Sequence, residues 1–151
     1  MKEFENFNDV LDFAIESEQD AADFYNDLAK SVKGSGIRES FLDFAKEEMN
    51  HKKRLEYIKE KGFTEQKVGK VQDLKISDYL VDMTLREDMT YKDALILAMK
   101  REKSAYNLYT KLSANTDNAD LKKIFTSLAI DEAKHKLRFE IEYDEYVYRE
   151  N

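Results

Sequence analysis

Apolar residues recur along the chain at steps of three and four, the spacing of one face of an α-helix. Leu11, Ala14, Ala21, Tyr25 and Leu28 fall on one such stripe, and Leu95, Ala98, Ala105, Tyr109 and Leu112 on a second. Phe41 with Ala45 and Phe125 with Ala129 begin two more. The spacing predicts four helices, near residues 8–32, 38–61, 91–114 and 118–148. Punctuation agrees, with Gly34-Ser35-Gly36 after the first, Gly62 after the second and Thr90 before the third. Short links inside each pair predict two antiparallel hairpins, whereas residues 63–90 are too long for a tight turn and predict a crossover along the bundle. Within it, Ile76, Leu80 and Met83, with Ser77 and Asp78 near the start, predict a short extra helix. The expected architecture is all-α, a four-helix bundle forming a single domain over residues 1–151.

The second hairpin repeats the first. Laid on residues 93–140 without a gap, residues 9–56 give 14 identities in 48 positions. Unrelated sequences of ordinary composition would match at about one position in fifteen. The shared residues are the inward ones: Leu11/Leu95, Ala14/Ala98, Tyr25/Tyr109 and Leu28/Leu112 among them. The bundle is therefore expected to be pseudo-symmetric, each half a copy of the other.

Two positions on these inward stripes are not apolar. Glu18 and Glu102 sit where aliphatic residues are expected, and a buried carboxylate must protonate or recruit a cation. The chain's two histidines each follow a glutamate by three residues, as Glu48-Met49-Asn50-His51 and Glu132-Ala133-Lys134-His135. On a helix that spacing projects both side chains from one side. One such pair is ordinary on a charged helix surface. Two pairs 84 residues apart, matched by Glu18 and Glu102 at the same offset, point to a shared site. Two divalent cations would cancel four carboxylates, and imidazole nitrogens would complete their coordination. The predicted metal ligands are Glu18, Glu48, His51, Glu102, Glu132 and His135. Tyr25 and Tyr109, two turns beyond Glu18 and Glu102, are either core aromatics or hydrogen-bond donors to the ligand carboxylates. Glu47 and Asp131 directly precede the two motifs and are either solvated acids or partners that orient the histidines.

Composition narrows the partners. With 32 acidic and 25 basic side chains the net charge is −7, which repels nucleic acid and favours cations. The chain has no cysteine, so neither disulfides nor thiolate metal sites arise. No apolar run approaches a membrane span, and the first residues, MKEFENFNDV, lack the pattern of a secretion signal. The expectation is a cytoplasmic protein with no membrane and no nucleic-acid partner.

By Glu18 with Tyr25, Glu102 with Tyr109 and the paired Glu-x-x-His motifs, the chain resembles the rubrerythrin branch of the ferritin-like superfamily over nearly its whole length. That resemblance implies a homodimeric di-iron bundle, an oxidoreductase in which ferrous iron is oxidised by hydrogen peroxide or oxygen and re-reduced by a partner. Manganese or zinc are alternative metals. Rubrerythrins usually add a cysteine-bearing rubredoxin domain; here the electron donor is expected to be separate, such as a rubredoxin-like protein. They also carry an extra glutamate three residues after the third-helix ligand, where this chain has Ala105. Two other readings stand beside the oxidoreductase: a ferroxidase or iron-handling protein, and a helical protein with a purely structural metal.

Overall fold

The computed structural model describes residues 4–62 and 74–150. Four long helices account for most of them: α1 Phe7–Ser31, α2 Ser35–Glu60, α3 Tyr91–Asn115 and α4 Ala119–Glu150. Each expected helix is present, with ends no more than three residues from the sequence reading.

The helix starts are built by local chemistry. Asn6 accepts the backbone N–H of Asp9 at 2.9 Å, and Thr90 accepts that of Asp93 at 3.0 Å. The Asp93 carboxylate returns a bond to the Thr90 N–H at 3.2 Å, closing a capping box. Asn6 and Thr90 are themselves 84 residues apart, so the Asp9/Asp93 identity is a repeated cap as well as a repeated sequence. Asn118 caps α4 by accepting the N–H groups of Asp120 and Leu121 at 3.0 Å. Gly62, with φ of 77°, follows α2 in the left-handed conformation that an L side chain resists.

α1 packs against α2 and α3 against α4 as two hairpins, and the hairpins close on one another around two apolar clusters. One cluster joins the start of α1 (Phe7, Val10, Leu11) to the end of α2 (Leu55, Ile58), the end of α3 (Leu108, Leu112) and the start of α4 (Leu121, Phe125). The other joins the opposite ends, through Phe24 and Leu28, Phe41 and Phe44, Ala94 and Leu95, and Phe139. Helices α1 and α4 therefore run one way and α2 and α3 the other. The pseudo-two-fold axis crosses the bundle between the clusters, and every predicted ligand lies in that middle layer.

The described part of the crossover, residues 74–90, leaves the first cluster at Leu74 and Tyr79 and reaches the second at Met83 and Leu85. It thus runs the length of the bundle; residues 63–73 of the predicted crossover lie outside the described residues. The short helix expected over Ile76, Leu80 and Met83 is not formed. A single 3-10 turn, Ile76–Asp78, stands there instead. The expected stripe fails at Leu80, which is 67% exposed, while Tyr79 turns inward and its carbonyl accepts the Ser104 hydroxyl at 2.8 Å. Among the described residues no helix is long and apolar enough to cross a membrane.

Candidate metal centre

Glu18 from α1, Glu48 and His51 from α2, Glu102 from α3, and Glu132 and His135 from α4 are brought together, and all six are buried. Their donors form two overlapping sets, Glu18, Glu48, His51, Glu132 and Glu48, Glu102, Glu132, His135; within each, one donor atom per residue lies within 4.8 Å of the others. Glu48 and Glu132 belong to both sets, so either could be shared between two neighbouring ions.

One atom of each of the six has no hydrogen-bond partner: Glu18 Oε1, Glu48 Oε1, His51 Nδ1, Glu102 Oε2, Glu132 Oε1 and His135 Nδ1. Buried polar atoms are almost always paired, so six unpaired atoms of metal-ligating types in one layer fit a pair of cations, although Arg101 Nε and Nη2 are unpaired there as well. His51 Nδ1 lies 3.4 Å from Glu18 Oε1, Glu48 Oε1 and Glu132 Oε1; His135 Nδ1 lies 3.2 Å from Glu48 Oε1 and 3.4 Å from Glu132 Oε1.

Four of the remaining atoms are held by partners from the other hairpin. The Tyr25 hydroxyl donates to Glu102 Oε1, and the Tyr109 hydroxyl to Glu18 Oε2 at 2.5 Å. His51 Nε2 meets Asp131 Oδ2 at 3.1 Å, and His135 Nε2 meets Glu47 Oε2 at 2.9 Å. Each acid thus faces the histidine of the opposite motif, and with a metal bound an Nε2 proton on that bond would leave Nδ1 as the inward lone pair. The tyrosines and acids that sequence left between two roles all contact a predicted ligand.

Sequence reading missed Arg101. It is 2% exposed, and its Nη1 donates to Glu48 Oε2 and Glu132 Oε2 and lies 3.4 Å from Glu102 Oε1. Its Nη2 lies 3.2 Å from Glu18 Oε1. The available signal was its register: Ala94 and Leu108, seven residues either side, are both buried, so the position between them faces inward too.

Electrostatics follow from this crowding. Burial pushes the Glu48 carboxyl well above its usual range, with Glu102, Glu132 and Glu18 adding repulsion against the pull of Arg101. Burial and Glu132 push Glu102 up to about 7. Burial acts upward on Glu132 as well, but Arg101 and the two histidines outweigh it and hold this carboxyl well below the usual range. The upward shifts of Glu48 and Glu102 favour a proton retained between these two carboxyls. Burial opposes charging of His51 and His135, yet the surrounding carboxylates raise both strongly. Burial and the adjacent carboxylates keep Tyr25 and Tyr109 as phenols.

The rubrerythrin family model matches residues 9–143, a span that takes in most of each of the four helices and all six residues. The chain belongs to the rubrerythrin family. Among solved structures, this rubrerythrin-family chain is similar to a candidate ferritin-like diiron-carboxylate protein of Thermotoga maritima, at 22% identity and a TM-score of 0.76, covering 97% of this chain and 99% of that one. It is also similar to a hypothetical protein of Pyrococcus furiosus, at 26% identity and a TM-score of 0.71, covering 89% and 86%. A comparison with curated protein sequences finds no significant match. The rubrerythrin fold is thus matched end to end by a ferritin-like neighbour, and the buried Glu and His cluster is compatible with a dinuclear site in it.

Proposed function

We propose that the chain is a di-iron oxidoreductase that reduces hydrogen peroxide, or oxygen, with electrons from a separate donor. The observation that carries this is the set of six orphaned donor atoms, one from each of Glu18, Glu48, His51, Glu102, Glu132 and His135, facing one another between two apolar clusters. A pair of ferrous ions held there would supply the two electrons that split one peroxide, with two protons, into two waters.

The protein's own part is positioning. The Tyr25 and Tyr109 hydroxyls fix the outer oxygens of Glu102 and Glu18, and Asp131 and Glu47 fix the ring orientation of the two histidines. The apolar clusters above and below keep bulk water out. A cavity of about 110 Å³ between α1 and the crossover, lined by Phe13, Ser17 and Tyr79, adjoins a narrower gap that shares those residues and reaches Ala105 and Tyr109. It supports entry of an oxidant as small as peroxide. Small side chains at Ser17, Ser104 and Ala105 keep that side of the site thin.

Stopped-flow mixing of the anaerobic diferrous protein with hydrogen peroxide tests the reading. Oxidation should be much faster than that of free ferrous iron, and an equal rate would exclude peroxide reduction. Faster reaction with oxygen than with peroxide, followed by release of ferric iron, would favour the ferroxidase alternative. The homodimer implied by the family has an apolar stripe available on α4, where Ile130, Leu137, Ile141 and Tyr148 are all exposed at spacings of seven, four and seven.

A further inference from the structure

Arg101 has no counterpart in the other half of the centre, where the 84-residue shift places Ser17, and nothing in the reduction of an oxidant uses it. Its Nη1 holds Oε2 of both Glu48 and Glu132, the two carboxylates common to the ligand sets. A carboxylate shared by two ions gives one oxygen to each. In both glutamates Oε1 faces the histidine Nδ1 atoms, at 3.2–3.4 Å, while Oε2 is taken by the guanidinium. Charge leads to the same conflict. Two divalent ions already cancel four carboxylates, so a guanidinium retained beside them would be surplus buried charge, and arginine cannot shed it by deprotonation.

We propose that Arg101 is a resident counter-cation that closes the metal-free centre, competes with the second metal ion for Oε2 of Glu48 and Glu132, and swings out when that ion binds. This rests on the metal-centre reading above. The exit is built on the same side of α3: Ser104 and Ala105, three and four residues on, line the gap that adjoins the cavity beside Ser17 and Asp20. Asp20, exposed at the rim of that cavity, feels the charge of Arg101 and is crowded by Glu16, Asp23 and Asp82. A guanidinium leaving the centre in that direction exchanges one set of carboxylates for another. Loading is therefore sequential, the first ion entering beside Arg101 and the second only against it.

Titration of the metal-free full chain with cobalt(II), followed by calorimetry and the visible spectrum, tests this on the wild type, Arg101→Met and Arg101→Lys. The wild type should bind two ions in two steps, the second weaker by about tenfold or more. Arg101→Met should tighten the second step by about tenfold and lower the melting temperature of the metal-free protein. Arg101→Lys, charged but without the fork, should lie between. A folded Arg101→Met protein whose second step is unchanged or weaker overturns the proposal. If that variant does not fold without metal, Arg101→Lys decides, and no tightening there rejects it. Failure of the underlying reading looks different: a wild type that binds no cobalt removes the metal centre and this role together, whereas two ions bound alike by all three proteins removes only the role of Arg101.

Discussion

At the residue scale the centre is a set of paired contacts that cross between hairpins, and the pairing makes symmetric predictions. Tyr25→Phe and Tyr109→Phe each delete one hydroxyl that holds a ligand carboxylate. Each should weaken metal affinity by roughly 10–100-fold, the cost usual for outer partners of a metal ligand. Isothermal titration of both variants checks this, and because the contacts are related by the repeat the two losses should be similar. Asp131→Asn and Glu47→Gln should produce smaller, matched losses, since both acids are partly exposed and the bonds compete with water. The six clustered residues were legible because a glutamate on an apolar stripe is anomalous and the repeat shows the anomaly twice. The four outer residues were legible only as candidates, since sequence gives the face a side chain leaves from but not which helix it meets. Arg101 was hidden by a different cause. A charged residue next to Lys100 reads as solvated surface, whereas the buried positions three, four and seven residues away, Ala98, Ala105, Ala94 and Leu108, show that it faces the core.

At the scale of the elements, caps and glycine geometry set where helices begin and end. Thr90→Ala removes the side-chain half of the capping box at the start of α3, leaving the backbone N–H of residue 90 on the Asp93 carboxylate, and should cost about 1 kcal/mol of stability, read by chemical denaturation of the metal-free protein. Gly62→Ala, placed at φ of 77°, should cost about 1 kcal/mol as well, by the strain of a left-handed backbone. A loss in neither variant would mean that packing alone fixes these ends. All four long helices were legible in the stripes because each buries one continuous face along several turns. The short crossover helix was misread because three apolar residues at helical spacing do not make a helix without a surface to bury them. Tyr79 takes the inward place that the spacing assigned to Leu80, and the Ser104 contact to its carbonyl anchors the segment as a strap.

For the whole molecule, two apolar clusters sandwich one polar layer, so stability and metal binding are linked: any ligand of the folded state alone raises its melting temperature. Saturating metal should raise it by several degrees, and the gain should vanish in Glu132→Ala, whose carboxylate serves both ligand sets. Assembly separates the proposed oxidoreductase from a storage shell. Sedimentation should give the mass of a dimer, and Leu137→Lys in the exposed α4 stripe should yield a monomer with unchanged helicity; a many-subunit shell would contradict the oxidoreductase reading. The acidic surface suits a metal-loaded protein that meets a small or basic electron donor, which salt should then weaken. The most direct test of the centre itself is elemental analysis of protein loaded anaerobically with ferrous iron and freed of excess, alongside Glu48→Ala and His135→Ala. Two iron ions per wild-type chain, falling in both variants, is the expected result; no bound iron, or the same count in all three proteins, would contradict it.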